Sequence, residues 1–174
     1  MISLIVAADS NRAIGFENKL LCRLKDDMKH FVKTTKNKPV IMGSTTFASL
    51  GNKPLKDRFN VVLTKSPMAL TLQHANIIEE NENLLFESLE YIKFMVEQSP
   101  DVEFMVIGGQ QTYELFLPLA DRIYYTSIQK KFPKADAYFP KLDVKDWTIV
   151  DSKMHLQNED NDYPFNIYIL ERVG

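Results

Sequence analysis

Residues 20–43 read LLCRLKDDMKHFVKTTKNKPVIMG, and their spacing decides how the rest of the chain must be arranged. Placed at about 100° per residue, Leu24, Met28, Phe31, Val32 and Thr35 share one stripe. Lys29, Lys33 and Lys36 fall away from it, with Lys25 on the flank. The spacing predicts a helix of about three turns, a short link and a buried strand from Pro39 to Met42. Asp26 sits with the charges. Asp27 lies at the margin of the apolar stripe, between Leu24 one turn before and Phe31 one turn after. A carboxylate there has two readings. It complements the helix N-terminus as a first-turn acid. Or it faces a pocket, where partial desolvation raises its pKa and lets it handle a proton near neutral pH.

On the N-terminal side, Ile2 to Ala8 (ISLIVAA) is a nearly continuous apolar run, the pattern of a strand buried on both faces. Asp9 to Arg23 reads as a loop, with Asn11, Gly15 and Asn18 as turn residues. Loops of such length are more often functional than mere connectors. On the C-terminal side, Ser44 reads as the N-cap of a short helix, TTFASL. Phe59–Thr64 is a third strand and Asn76–Glu79 a weak fourth. Leu84–Glu97 has helical spacing, and Phe104–Ile107 is a fifth strand running into Gly108 and Gly109. Thr112–Leu117 is helical, ended by Pro118. Arg122–Ile128 is another strand, and Trp147–Ser152 and Phe165–Glu171 read as a closing antiparallel pair. This alternation predicts an α/β fold in a single domain, residues 1–174. Its central sheet is mainly parallel with helices on both faces, and an antiparallel strand pair ends the chain.

Composition narrows the function. The 174 residues are 45% hydrophobic and 25% charged, ordinary for a globular protein with a full core. Net charge is −2 with no strongly basic block, which argues against nucleic acid as the main partner. Cys22 is the only cysteine, so there is no disulfide framework. No apolar run approaches a membrane span, and a cytoplasmic monomer is the expectation. His30, His74 and His155 lack the spaced partners of a metal site.

Two strands end in glycine and run into helices, at Met42-Gly43-Ser44 and at Ile107-Gly108-Gly109. Glycine lets a backbone approach a ligand closely, and a helix N-terminus offers free N–H groups to phosphate. Each turn alone is equally a tight strand-to-helix connection. Two at the same end of a parallel sheet suggest a ligand with more than one phosphate.

MISLIVA, the loop segment Ile14-Gly15-Phe16-Glu17-Asn18, Asp27 with Phe31, and NKPVIMG belong together with several later segments. These are Thr46 with Ser49, Arg58 to Leu63, Met105 to Gly109 with Tyr113, Asp136 with Tyr138-Phe139-Pro140, and Ile169-Leu170-Glu171-Arg172. As an ordered set, covering nearly the whole chain, they resemble dihydrofolate reductase. The resemblance implies reduction of 7,8-dihydrofolate to tetrahydrofolate with NADPH as hydride donor. It implies that Asp27 holds the pterin and supports its protonation, with Thr126 behind it. Ile5 and Ile107 would offer backbone carbonyls to the pterin, Phe31 and Leu50 would wall the benzoyl part, and Arg58 would clamp the glutamate carboxylate. Ala7 and Ile14 would contact the nicotinamide. Gly43, Thr46, Gly108, Gly109 and Gln110, with Tyr113, would line the cofactor, and Ser44, Thr45, Lys65 and Ser66 would face its 2′-phosphate.

The chain departs from the family's usual pattern in three places. Leu21-Cys22 stand where it often has Pro-Trp, Ser44 where it often has Arg, and Gln110 where it often has a third glycine. The first departure implies a roomier pterin pocket and weaker binding of diaminopyrimidines such as trimethoprim. Two other readings share the pattern: a related pterin or pyrimidine reductase of the same fold, and a folate- or nucleotide-binding protein without turnover.

Overall fold

The computed structural model describes every residue from Met1 to Gly174. In chain order the elements are β1 (Ile2–Ala8), β2 (Ala13–Gly15), α1 (Lys25–Thr35), β3 (Val40–Gly43), α2 (Ser44–Ser49) and β4 (Asn60–Leu63). Then come α3 (Pro67–Gln73), α4 (Ala75–Glu80), β5 (Leu84–Glu87), α5 (Leu89–Glu97), β6 (Phe104–Gly108) and α6 (Gln110–Phe116). After a single 3-10 turn follow β7 (Arg122–Ile128), β8 (Ala137–Tyr138), β9 (Trp147–His155) and β10 (Phe165–Arg172).

The main sheet has the order β5-β4-β3-β6-β1-β7-β10-β9. The first six strands are mutually parallel, and β10 runs antiparallel between β7 and β9. β2 and β8 form a separate antiparallel ribbon. Helices cover both faces, which is why the central strands are apolar on both sides. On one face Leu4, Val6 and Val106 pack with Ile92 of α5 and Phe116 of α6. On the other, Val40, Met42 and Met105 pack with Phe47 of α2, and Phe31 of α1 lies against them.

Three local expectations differ from the structure. Asn76–Glu79 is helical, within α4. Ile77 and Ile78 both pack on the core beneath them, and Asn81 Nδ2 donates to the Ile77 carbonyl at 2.8 Å; this packing outweighs their β-propensity. Leu84–Glu97 is not one helix. Leu84 and Phe86 alternate inward as β5, and Ser88 then caps α5 by accepting the Tyr91 N–H at 3.2 Å. Ser44 is the first helical residue of α2, and Gly43, not Ser44, occupies the N-cap. α3, which Pro67 opens from its first turn, has no counterpart among the elements expected from the sequence.

Candidate active site

The sheet opens beside β1. β1 and β6 pair only from Ile2 with Phe104 to Leu4 with Val106, whereas β1 and β7 stay paired as far as Ala8 with Ser127. From Ile5 onward, the β1 edge that faces β6 has left the ladder. The gap lies towards the C-terminal ends of the strands, where open parallel sheets receive ligands. Tyr113 reaches into it from α6 and donates its hydroxyl to the Ile5 carbonyl at 2.6 Å. A carbonyl has two lone pairs, so Ile5 O retains capacity for a second donor. Ile107 lies half-buried on the β6 side, next to the register shift between β3 and β6.

α1 returns the chain from the end of β1 to the start of β3, so its first turn stands at the mouth of this gap. Asp27 is there, and its Oδ1 accepts the Thr126 hydroxyl at 2.6 Å. Thr126 pairs with Ala7 in the sheet. Burial pushes the Asp27 carboxyl above the ordinary carboxylate range; the Thr126 hydroxyl and His155 pull it down by less. Of the two readings of this acid, the pocket-facing one describes its surroundings. A cleft of about 390 Å³ opens over it, walled by Ala7, Ile14, Leu21, Cys22, Met28 and Ile128. Arg23 and Lys25 also line it, and Asp27 is its one carboxylate, a polar group placed to fix a ligand's orientation in a mostly apolar wall. Burial, with the nearby Asp162 and Asp27 charges, pushes the Cys22 thiol up to about 11.

Met28 and Ile128 were not among the sequence candidates. Met28 belongs to the apolar stripe yet is 48% exposed, and that mismatch marks the stretch of stripe facing the cleft rather than the core. Nothing in the sequence separates Ile128 from an ordinary core strand residue.

Arg58 meets the other end of α1. Its Nε donates to Thr35 Oγ1 (3.1 Å), Nη1 to the Lys56 carbonyl (2.7 Å) and Nη2 to the Val32 carbonyl (3.4 Å). The guanidinium carbon stands 6.0 Å from the Phe31 ring centroid. Guanidinium has five N–H donors, so one on Nη1 and one on Nη2 stay free, a fork of the right shape for a carboxylate. At 1.5 Å per residue, Val32 and Thr35 lie roughly 8–12 Å along the helix axis from Asp27. Phe31 and the exposed Leu50 and Val32 give that stretch an apolar border.

The glycine turns close the third side. A Cβ on Gly43 would stand 2.8 Å from Thr112 Oγ1, and one on Gly109 would stand 3.3 Å from Thr46 Oγ1. Gly108 has φ +118°, with the Tyr113 ring 3.2 Å from where a Cβ would be. The two turns therefore interlock, and only glycine fits at Gly43 and Gly108. No side chain caps α2 or α6, which leaves backbone N–H groups at both starts for a ligand. Gln110 contributes backbone only: its Nε2 donates to Glu114 (2.9 Å) and its Oε1 accepts the Tyr138 N–H (2.8 Å). Ser44 and Thr45 are exposed after β3, and Lys65 and Ser66 are exposed after the adjacent β4. A cradle of two open turns with a lysine at its rim fits a dinucleotide carrying several phosphates.

The sequence model of the dihydrofolate reductase family matches residues 1–172. The chain belongs to the dihydrofolate reductase family. Similar proteins include the dihydrofolate reductase of Bacillus subtilis (strain 168), 35% identical over 172 residues, which are 99% of this chain and 95% of that protein. The Haemophilus influenzae dihydrofolate reductase is 35% identical over 170 residues, 98% of either chain. A solved dihydrofolate reductase from Enterococcus faecalis, complexed with NADP(H) and RAB-propyl, superposes with a TM-score of 0.84 at 26% identity. That match covers 100% of this chain and 97% of the other. The α/β architecture with its antiparallel C-terminal pair is thus the dihydrofolate reductase fold.

Proposed function

We infer that the chain catalyses the NADPH-dependent reduction of 7,8-dihydrofolate to tetrahydrofolate, with Asp27 binding the pterin and supporting its protonation. The observation that carries this is the half-buried Asp27 carboxylate, braced by Thr126, at the head of a mostly apolar cleft. When bound, NADPH supplies the hydride that adds to C6, while N5 takes a proton.

The chain's own residues divide the rest. Asp27 pairs with the pterin's amino group and ring nitrogen, and its charge favours the protonated pterin over the neutral one. The Ile5 and Ile107 carbonyls accept from the pterin's far edge. Phe31 and Leu50 border the benzoyl group, and the free fork of Arg58 takes the glutamate carboxylate. Ala7 and Ile14 position the nicotinamide beside the pterin. Gly43, Thr46, Gly108, Gly109 and the Gln110 backbone border the phosphates, and Tyr113 holds the Gly108 turn in place. Ser44, Thr45, Lys65 and Ser66 face the 2′-phosphate. Leu21 and Cys22 leave room in the wall, so trimethoprim binds weakly.

A monomer is the working unit in this reading. No helix is long and apolar enough to cross a membrane; the site of action is the cytoplasm in this reading. Following nicotinamide absorbance with dihydrofolate present tests the whole assignment. Oxidation dependent on dihydrofolate supports it. Binding of both ligands without oxidation would leave a folate-binding protein in its place.

A further inference from the structure

Helix α1 does not cap itself. Leu24, at its N-cap, offers no side-chain acceptor. Two of the first free N–H groups are instead taken by the loop between β9 and β10. The Lys25 N–H donates to the Asp160 carbonyl (2.9 Å), and the Asp26 N–H donates to Asn161 Oδ1 (3.1 Å). Asp26 reciprocates, its Oδ2 accepting from Asn161 Nδ2 at 2.9 Å. Asn161 thus caps the helix from 135 positions away, and the bond from its amide to the Asp26 carboxylate makes the contact reciprocal. Asn161 is 0% exposed. It is fixed in turn by Asn158, whose Oδ1 accepts its backbone N–H (3.0 Å) and its Nδ2 (3.2 Å). Its backbone also bridges Leu24 in antiparallel fashion.

We propose that Asn161 is a positioning residue for Asp27, fixing through Asp26 the first helical turn on which the Asp27 carboxylate is carried. Helix ends fray within the first turn when their donors lack partners. A small change of phase there swings a side chain off its face, because successive residues differ by about 100°. Thr126 holds the tip of Asp27, and Asn161 holds the backbone N–H of the residue before it, Asp26. Leu24, bridged to Asn161, anchors the same turn in a small core with Ile128, Phe165 and Ile167. The geometry of the pterin carboxylate therefore depends on the hairpin at the far end of the chain.

The proposal rests on Asp27 facing the pterin, and steady-state kinetics per folded active site test both. Asn161→Ala and Asp26→Ala are each expected to lower kcat/KM for dihydrofolate about tenfold or more, since misplacing a reacting group is costly. The KM for NADPH stays at the wild-type value. Asp26→Asn keeps an oxygen facing Asn161 Nδ2 and restores the dihydrofolate KM lost in Asp26→Ala. The double alanine variant is no worse than either single one, because the two residues act as a pair. Should Asn161→Ala fail to fold, Asn161→Asp sets two carboxylates against each other, and Asn161→Asp with Asp26→Asn restores a donor facing an acceptor. Equal changes in both KM values, or none, would show that Asn161 merely closes the hairpin and would overturn the proposal. Asp27→Asn distinguishes the failures. If it abolishes turnover while the Asn161 variants are silent, only the positioning role falls; if it is active, the reading of Asp27 itself falls.

Discussion

Thr126 Oγ1 lies 2.6 Å from Asp27 Oδ1, and Thr126 is only 2% exposed. The two effects on Asp27 oppose each other. The hydroxyl favours the charged carboxylate, and burial disfavours it by more, so the folded-state pKa stays above that of the unfolded chain. An acid shifted upward on folding binds its proton more tightly in the native state. Stability therefore falls as pH rises from the ordinary carboxylate range through the raised value, and above that value the ionised Asp27 is a destabilising group.

Asp27→Asn is expected to lower dihydrofolate turnover by about 10²–10³-fold, since the amide cannot hold the charge that favours a protonated pterin. The same variant melts at a higher temperature than the wild type at pH 7, and the difference shrinks towards pH 4. Thermal melts at the two pH values, beside initial rates, check both parts. A variant both active and no more stable would contradict the assignment.

Thr126→Val removes the one hydroxyl donor to Asp27 while keeping the volume. The carboxyl loses the bond that lowers its pKa, so the inflection in the pH–rate profile that reports Asp27 moves upward. An unmoved inflection would mean that Thr126 does not act on Asp27 during turnover.

Arg58→Leu is expected to raise the dihydrofolate KM by about ten- to a hundredfold, the loss of a charge-assisted pair worth about 1.5–3 kcal/mol. The NADPH KM stays unchanged. Arg58→Lys keeps the charge without the fork and recovers only part of the loss. Because Arg58 also ties the end of α1 through Thr35 and Val32, the Leu variant should melt somewhat lower. A normal substrate KM would remove Arg58 from the site.

Lys65→Ala is expected to weaken NADPH several-fold and leave NADH untouched, because only the former carries a 2′-phosphate. The difference shrinks as salt screens an exposed lysine. Equal KM changes for the two cofactors would locate the 2′-phosphate elsewhere.

Replacing Leu21 and Cys22 together by Pro and Trp should tighten trimethoprim binding by filling the cleft wall. In the wild type, a thiol at about 11 leaves only about one molecule in 10⁴ as thiolate at pH 7, so Cys22 should resist alkylation. An inhibition constant unchanged in the double variant would show that these positions do not shape the site.

Much of this could be read from the chain because local pattern and tertiary role coincide. Ile2–Ala8 is apolar because it lies between two helical layers, and the α1 stripe places Asp27 at its margin because that margin borders the gap beside β1. Expectation and structure part where two local patterns fit equally well. Ile77-Ile78 suit a strand as readily as a packed helical turn, and the run after Leu84 has helical spacing although Ser88 divides it. Long-range partners left no local trace. Asn161 looks like any loop asparagine until its 135-residue return to Asp26 is seen. Met28 and Ile128 are apolar whether they face a core or a ligand.

The interlocked turns at Gly43 and Gly108 also limit what mutation can explore. Any residue added at Gly43 meets the buried Thr112, and any at Gly108 meets the Tyr113 ring in a backbone conformation hostile to side chains. Such variants carry strain in the fold itself, whatever ligand is bound. The cleft wall at Leu21, Cys22 and Met28 is partly open to solvent, and new side chains there have space. Heritable change in ligand preference is thereby channelled to one end of the site: a lineage can rewrite its dealings with pterin-like molecules while its dinucleotide cradle is passed on unaltered.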